Sequence, residues 1–339
     1  MNKVKVLIAG STGYIGVQLV KLLCNHKYTK IKYLCGNSSV GKKISLYDKS
    51  LKKYNLPKIT KLNYEYLRNI DVIFTALPNG ESQIISNKLT EKNILIDLSA
   101  DFRLQTKSTF EKYYKIKHKS SKNIKKSIYA IPELVKKNIL NKKIIACPGC
   151  YPTSILIPLL PLLKKKLINT NNIIIDSKSG YSGAGRNVHK IHKNNNLYES
   201  LSIYGVSNHR HNSEIQQEFN KLSKKINFEF TPHLSPMFRG ILTTIYIENK
   251  KGITNKKIIN TLRSFYKKDI FVRIKSENSL LSTNNVINTN FIDISICKTK
   301  NKKKTIIIST IDNLIKGGAG QALQNFNRLY NFKDHEGLR

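Results

Sequence analysis

"VKVLIAGSTGYIGVQLVKLLC", residues 4–24, decides how the first half of this chain folds. Val4 to Ala9 is an apolar, β-rich run. "GSTGYIG" (Gly10 to Gly16) follows, and from Tyr14 the apolar residues recur at helical spacing. The reading is strand, glycine turn, helix. Glycines at this turn permit a tight bend, let a phosphate approach the backbone, and let the helix pack close to the strand. A phosphate then meets the outward N–H groups of the helix N-terminus. A tight βα turn that binds nothing is the plain alternative, but the position after a first strand favours a dinucleotide. The candidate cofactor contacts are Gly10, Ser11, Thr12, Gly13, Tyr14, Ile15 and Gly16.

Further strands are expected at Ile31–Cys35, Asp71–Leu77 and Asn93–Ser99, with a helix over Gln83–Leu89. Strands alternating with helices at this spacing predict a parallel α/β sheet of βαβ units. Beyond Cys150 the texture changes. "NIIIDSKSG", Gly240–Glu248, Asn290–Cys297 and Lys304–Thr310 read as strands, the last two joined by the charged link "KTKNKKK". Longer strands with fewer helices between them predict an antiparallel sheet in an α+β domain. Asn313–Phe332 is glycine-rich and then helical, and the biased stretches "SSKNIKKS" and "KNNN" read as exposed loops.

The 339 residues suit two domains, and 40% hydrophobic with 24% charged residues allows a packed core. No apolar run approaches the length of a membrane span, and Pro158 and Pro161 interrupt the greasiest stretch, Ile155–Leu163. The N-terminal apolar run is short and enters the glycine turn directly, so a cytoplasmic protein is expected. Five scattered cysteines argue against a disulfide framework. The net charge of +38 comes almost wholly from lysines dispersed among Asn and Ile residues. Those residue types have A/T-rich codons, so nucleotide bias accounts for them. No arginine-rich arm or aromatic interleaving points to nucleic acid.

After the second strand, "CGNSSVGKK" (Cys35–Lys43) lacks the acid that would hold the ribose hydroxyls of NAD. Ser38, Ser39 and Lys42 could instead take a 2′-phosphate, which favours NADP. "ACPGCYPTS" (Ala146–Ser154) carries two thiols in C-x-x-C spacing. Neither the other cysteines nor "HRH" supplies a second zinc-ligand pair at the usual spacing, so no metal is expected. Cys147 follows an apolar run and is expected to pack. Cys150 precedes an apolar helical run in which Thr153 is a plausible N-cap and Pro152 a pre-helix residue. A thiol at a helix N-terminus is biased toward thiolate, and Gly149 beside it would give a substrate room. His209 and His211 in "NHRHNSEI" (Asn208–Ile215) are candidate partners. "DSKSGYSGAGRN" (Asp176–Asn187) has the composition of an anion-holding loop, and Arg239 precedes a strand.

"GSTGYIG", "ALPNGES", "LSADFRL", "YAIPEL", "CPGCYPTS", "DSKSGYSGAGR", "HRHNSEI", "PHLSPMFRGILTT" and "NLIKGGAGQALQNFN", in this order from residue 4 to about 330, resemble the N-acetyl-gamma-glutamyl-phosphate reductase family of arginine biosynthesis. The resemblance implies an α/β Rossmann NADP-binding domain over residues 1–149, completed by 312–339. It implies an α+β catalytic and dimerisation domain over 150–311, like that of glyceraldehyde-phosphate dehydrogenase. It implies NADPH-dependent reduction of an acyl phosphate through a cysteine thioester. Cys150 aligns with the family's nucleophile and "HRH" with its acid/base histidine, for which His209 is chosen here. Pro78, Ser179, Gly180, Asn313, Gly317 and Gln321 would join the cofactor contacts. Lys178, Arg186, Arg210, His211 and Arg239 would hold the substrate's phosphate and carboxylate. A homo-oligomer, dimer or tetramer, is implied. Three positions depart from the family pattern: Cys147 where Asn is usual, Asn79 where His is common, and no Arg at 36–39. The alternatives are a reductase for aspartyl phosphate or a carrier-bound aminoadipyl phosphate and, more distantly, a Rossmann-type NADP-sensing or nucleic-acid-binding protein.

Overall fold

The computed structural model describes residues 2–135, 139–186 and 199–338. The chain divides into two compact units, one of Met1–Pro148 with Gly318–Arg339 and one of Gly149–Gly317. The return to the first unit thus comes at Gly318, later than the expected 312.

The first unit is built on a seven-stranded sheet in the order β3-β2-β1-β4-β5-β7-β6, parallel throughout. Its strands are β1 (Val4–Ala9), β2 (Thr29–Cys35), β3 (Ile59–Thr60), β4 (Val72–Thr75), β5 (Ile94–Asp97), β6 (Ser127–Tyr129) and β7 (Ile144–Ala146). Val72–Thr75 is buried at every position, as a strand covered on both faces must be. Helix α1 (Tyr14–Cys24) follows β1, and α2 (Glu81–Ser86) follows β4, two residues earlier than the expected helix. Among the described residues of the unit's first segment, the further α-helices are α3 (Lys107–Tyr114), α4 (Ser121–Ile124) and α5 (Pro132–Val135). "SSKNIKKS" is therefore no plain exposed loop. It holds α4, and Ser120, Asn123 and Ile124 are buried. "KNNN" lies outside the described residues. Strand order reverses between β1 and β4, so the chain opens a crevice beyond Ala9 and Thr75, where such sheets take ligands.

The second unit carries a seven-stranded sheet in the order β12-β13-β14-β11-β8-β10-β9. Its strands are β8 (Ile173–Gly180), β9 (Ser202–Ile203), β10 (Phe228–Ser235), β11 (Ile241–Glu248), β12 (Val272–Ile274), β13 (Ile292–Lys298) and β14 (Lys304–Ile311). The sheet is mixed rather than antiparallel. β8 pairs β10 in parallel, with helix α7 (His211–Asn220) in the segment that connects them, and β12 pairs β13 in parallel across the long connection 275–291; helix α8 (Asn255–Phe265) lies between β11 and β12.

Helix α6 (Cys150–Lys164) lies on this sheet and runs straight through both prolines. A proline inside a helix removes an N–H and orphans the carbonyl four residues back. Here both orphans find hydroxyl donors. Ser309 Oγ donates to the Ser154 carbonyl at 2.7 Å, behind Pro158. Tyr266 donates to the Ile157 carbonyl at 2.6 Å, behind Pro161. A hydroxyl chain from Ser154 through Thr243 to Ser177, at 2.8 and 2.9 Å, adds a third tie. The helix that begins at Cys150 is thereby fixed on its sheet. On the opposite face of the sheet Ile174 and Tyr246 remain 49% and 44% exposed, beside the half-buried Leu242, Thr244, Ile306 and Ile308.

Candidate active site

In the first unit the glycine turn forms as its composition requires. Gly10 has φ +84°, and a Cβ there would stand 2.2 Å from the Ala76 carbonyl oxygen. A Cβ on Gly16 would meet the Gly10 oxygen at 2.1 Å. Both clashes are with backbone, so only glycine lets β1, α1 and the β4 loop close together. Gly13 is the N-cap of α1, with no side-chain cap and no acid in the first turn. With no acid within that turn to oppose an anion, the cradle fits the pyrophosphate of a dinucleotide.

Ser38 and Lys42 are exposed beyond β2, as a 2′-phosphate site needs, whereas Ser39 is buried with its hydroxyl on that of Tyr47. Pro78 is exposed after β4, in a loop anchored by two side chains of the next βα segment. Ser99 Oγ accepts the Leu77 N–H at 3.0 Å, and Asp101 accepts those of Gly80 and Gln83 at 2.7 and 3.2 Å. Burial, and then Asp97, pushes the Asp101 carboxyl up to about 7. Gln321 is buried in α9 (Gly320–Leu329).

Cys147 also belongs to this unit. It is fully buried, Asn325 donates to its sulfur at 3.8 Å, and burial pushes the thiol up to about 12. Such a thiol stays protonated near neutral pH, as the reading of a packed neighbour requires.

Cys150 lies in the second unit, at the first position of α6. The N-cap is Gly149, not Thr153; Thr153 sits inside the first turn and donates its hydroxyl back to the Gly149 carbonyl at 2.9 Å. The space at Gly149 is not left for a substrate either. A Cβ there would stand 2.4 Å from His211 Nε2, so the missing side chain makes room for the imidazole. A Cβ on Gly317 would meet that of Cys150 at 2.6 Å. Gly317 belongs to a π-helical turn, Ile315–Ala319, which Asp312 holds through the N–H groups of Leu314 and Ile315 at 2.8 and 3.1 Å.

The two histidines are not equivalent, and the segment is not the extended one in which both would share a face. His209 Nδ1 accepts the backbone N–H of His211 at 3.1 Å. Its ring is enclosed by Tyr151, Tyr204, Phe230 and His211. Burial, and then Arg210, holds His209 down at about 4. His211 opens α7 and lies against Gly149. Glu214, one turn on, accepts the Gly149 N–H at 2.9 Å and approaches His211 Nε2 at 3.8 Å. Tyr204 donates to the Tyr151 hydroxyl at 3.1 Å, and Tyr151 to the His233 carbonyl at 3.1 Å. Neither Tyr204 nor Glu214 was singled out from the sequence. The i, i+3 spacing of His211 and Glu214 was the one available signal, and it has meaning only once a helix is known to start there.

The expected substrate cations do not converge. Ser177, Thr243 and Ser309 face α6, so Lys178, one residue along β8, points to the opposite face, where its ammonium pairs with Asp176. Arg239 is bound to buried Asp312 at 3.1 Å and to Asn288. Arg210 and Arg186 are exposed, the latter at the end of the described segment, and Asn187 lies outside it. Gly180 packs against the Arg239 backbone, and Ser179 is buried, donating to the Gly180 carbonyl at 3.1 Å. Asn313 braces the unit, accepting the Gly240 N–H at 2.7 Å and donating to Ser182 at 2.9 Å.

Residues 5–142 match the family described as "Semialdehyde dehydrogenase, NAD binding domain", and residues 150–313 the "Semialdehyde dehydrogenase, dimerisation domain". An N-acetyl-gamma-glutamyl-phosphate reductase of Ehrlichia canis is 40% identical, the alignment covering 98% of this chain and 96% of that protein. One from Brachyspira hyodysenteriae is 42% identical over 99% and 98%. Among solved structures, aspartate semialdehyde dehydrogenase from Candida albicans, with NADP, superposes with a TM-score of 0.70 at 15% identity, covering 97% of this chain and 99% of that one. The Vibrio cholerae enzyme II gives 0.69 at 16%, covering 98% and 99%. At such identity these structures speak for the fold alone. No helix of the described residues is long and apolar enough to cross a membrane. The chain belongs to the semialdehyde dehydrogenase family and, within it, to the N-acetyl-gamma-glutamyl-phosphate reductases.

Proposed function

We propose that this chain reduces N-acetyl-L-glutamyl 5-phosphate to the 5-semialdehyde with release of phosphate, using NADPH. The observation that carries this reading is Cys150 at the start of α6, with the His211 imidazole seated against the adjacent Gly149. The helix dipole favours the thiolate of Cys150. That sulfur attacks the acyl carbon, a C–S bond forms, and the C–O bond to phosphate breaks with its electron pair leaving on phosphate. Pro152 has no N–H and Thr153 gives its own to the Gly149 carbonyl at 3.0 Å, so the developing oxyanion is assigned to the N–H groups of Cys150 and Tyr151. NADPH, when bound, supplies the hydride that reduces the Cys150 thioester. His211 gives the carbonyl oxygen a proton and takes it back as the C–S bond breaks, freeing aldehyde and thiolate.

His211 is preferred to His209 for this role on two grounds. His209 has one nitrogen engaged with backbone, and its low proton affinity leaves the ring uncharged, and so a weak acid, near pH 7. Support for NADP over NAD comes from the missing acid after β2 and the exposed Ser38 and Lys42. The half-exposed outer face of the second sheet, centred on Ile174 and Tyr246, supports self-association there as a homo-oligomer.

Cys150→Ser tests the whole reading. It should abolish NADP reduction with N-acetylglutamate 5-semialdehyde and phosphate, while Cys147→Ser keeps most activity. Turnover by the Cys150 variant near that of the unaltered protein would sink the nucleophile, and a complete loss in the Cys147 variant would point instead to both thiols of the C-x-x-C acting as a redox pair. Aspartyl phosphate serves as the competing substrate in the same assay.

A further inference from the structure

Glu214 is fully buried, yet each of its carboxylate oxygens faces a different part of the site. Oε2 accepts the Gly149 N–H at 2.9 Å, at the very start of the helix that carries Cys150. Oε1 lies 3.8 Å from Nε2 of His211. The two residues are three apart at the start of α7, so the helix puts both side chains on one face. A carboxylate at a helix N-terminus opposes thiolate formation nearby unless it also favours a positive partner. His211 is that partner. The rings of Tyr151 from α6 and of His209 pack against it, Tyr204 packs on His209 behind, and Arg210 precedes it in the chain.

We infer that Glu214 is a positioning residue for the chemistry of Cys150: one oxygen sets the start of the thiol's helix, and the other orients His211 and keeps its ring protonated. The inference deepens the reading above and rests on its Cys150–His211 pair. A negative charge about 4 Å from an imidazole favours its protonated form. The donor of the reductive step therefore stays charged to higher pH, and the thiolate has a counter-ion to its side of the helix start.

The test is Glu214→Gln, which keeps the shape and an oxygen for the Gly149 N–H but removes the charge. Two profiles are followed with pH: kcat and KM for acyl-phosphate reduction, and the rate at which iodoacetamide alkylates Cys150. The basic limb of kcat should move down by about one unit, so that kcat at pH 8 falls about tenfold with KM within twofold. Alkylation at pH 6 should slow, because the thiolate loses its charged partner. Unmoved limbs, with only thermal stability lowered, would overturn the inference and leave Glu214 a helix brace. Should the Gln variant not fold, Glu214→Asp must shift the kcat limb in the same direction, and an unshifted limb there overturns it equally. Alkylation needs neither substrate nor cofactor. A protein inactive on the acyl phosphate but with the expected alkylation profiles would refute the proposed reaction and spare Glu214.

Discussion

Gly149→Ala separates the steric need at this position from any backbone need. Gly149 has φ −65° and ψ 158°, a conformation alanine adopts without strain. The conflict is with the histidine: the new methyl carbon would stand 2.4, 2.6 and 2.7 Å from Nε2, Cε1 and Cδ2 of His211. Ordinary contact begins near 3.4 Å, so the imidazole must retreat by roughly 1 Å. A displacement of that size in a reacting group costs about 10²-fold in rate. Overpacking itself costs about 1–3 kcal/mol of stability, which leaves the protein folded at 25 °C. Steady-state kinetics should therefore show kcat down about a hundredfold, with NADPH affinity unchanged. A double-mutant cycle sharpens the test. In a His211→Ala background the imidazole is gone, and Gly149→Ala should cost almost nothing further. Full activity in the single variant, or additive losses in the double, would refute the claim that Gly149 exists to seat His211.

Three further outcomes are expected. Tyr266→Phe and Ser309→Ala each leave a proline-orphaned carbonyl of α6 buried and unpaired, and should each lower unfolding free energy by about 1–3 kcal/mol in urea titrations. Gly10→Ala should abolish NADPH binding, read by fluorescence, because the left-handed turn and the Ala76 carbonyl both reject a side chain. Asp101 carries a proton in the folded state up to about pH 7, against 3.8 for the unconstrained group, so its contribution to stability is full below pH 4 and is lost as pH rises through 7. Asp101→Asn should flatten the fall in stability between about pH 4 and pH 7, and an unchanged slope would contradict the assignment.

Four strands of the first unit, β1, β2, β4 and β5, stand where the sequence suggests them because each is a short apolar run closed by a turn, a signal held within ten residues; the short β3, β6 and β7 carry too few residues for such a signal and are not expected from it. The Rossmann turn was legible for the same reason, since Gly10 and Gly16 act on atoms of their own βαβ unit. Legibility failed where a residue's meaning depends on what lies across the fold. Pro158 and Pro161 read as breaks, yet α6 continues because Tyr266 and Ser309, more than a hundred residues away in sequence, supply the missing donors. Lys178 and Arg239 read as substrate cations. The pleat turns the first away from α6, and buried Asp312 takes up the second.

The sequence by itself determined the two-part architecture, the dinucleotide cradle, and Cys150 as the thiol at a helix start, because local periodicity and glycine stereochemistry suffice for each. Only the tertiary structure gives the two histidines different surroundings. Two residues apart, they differ in no local property. What distinguishes them is that α7 brings one ring, with Glu214 behind it, into the space that Gly149 leaves.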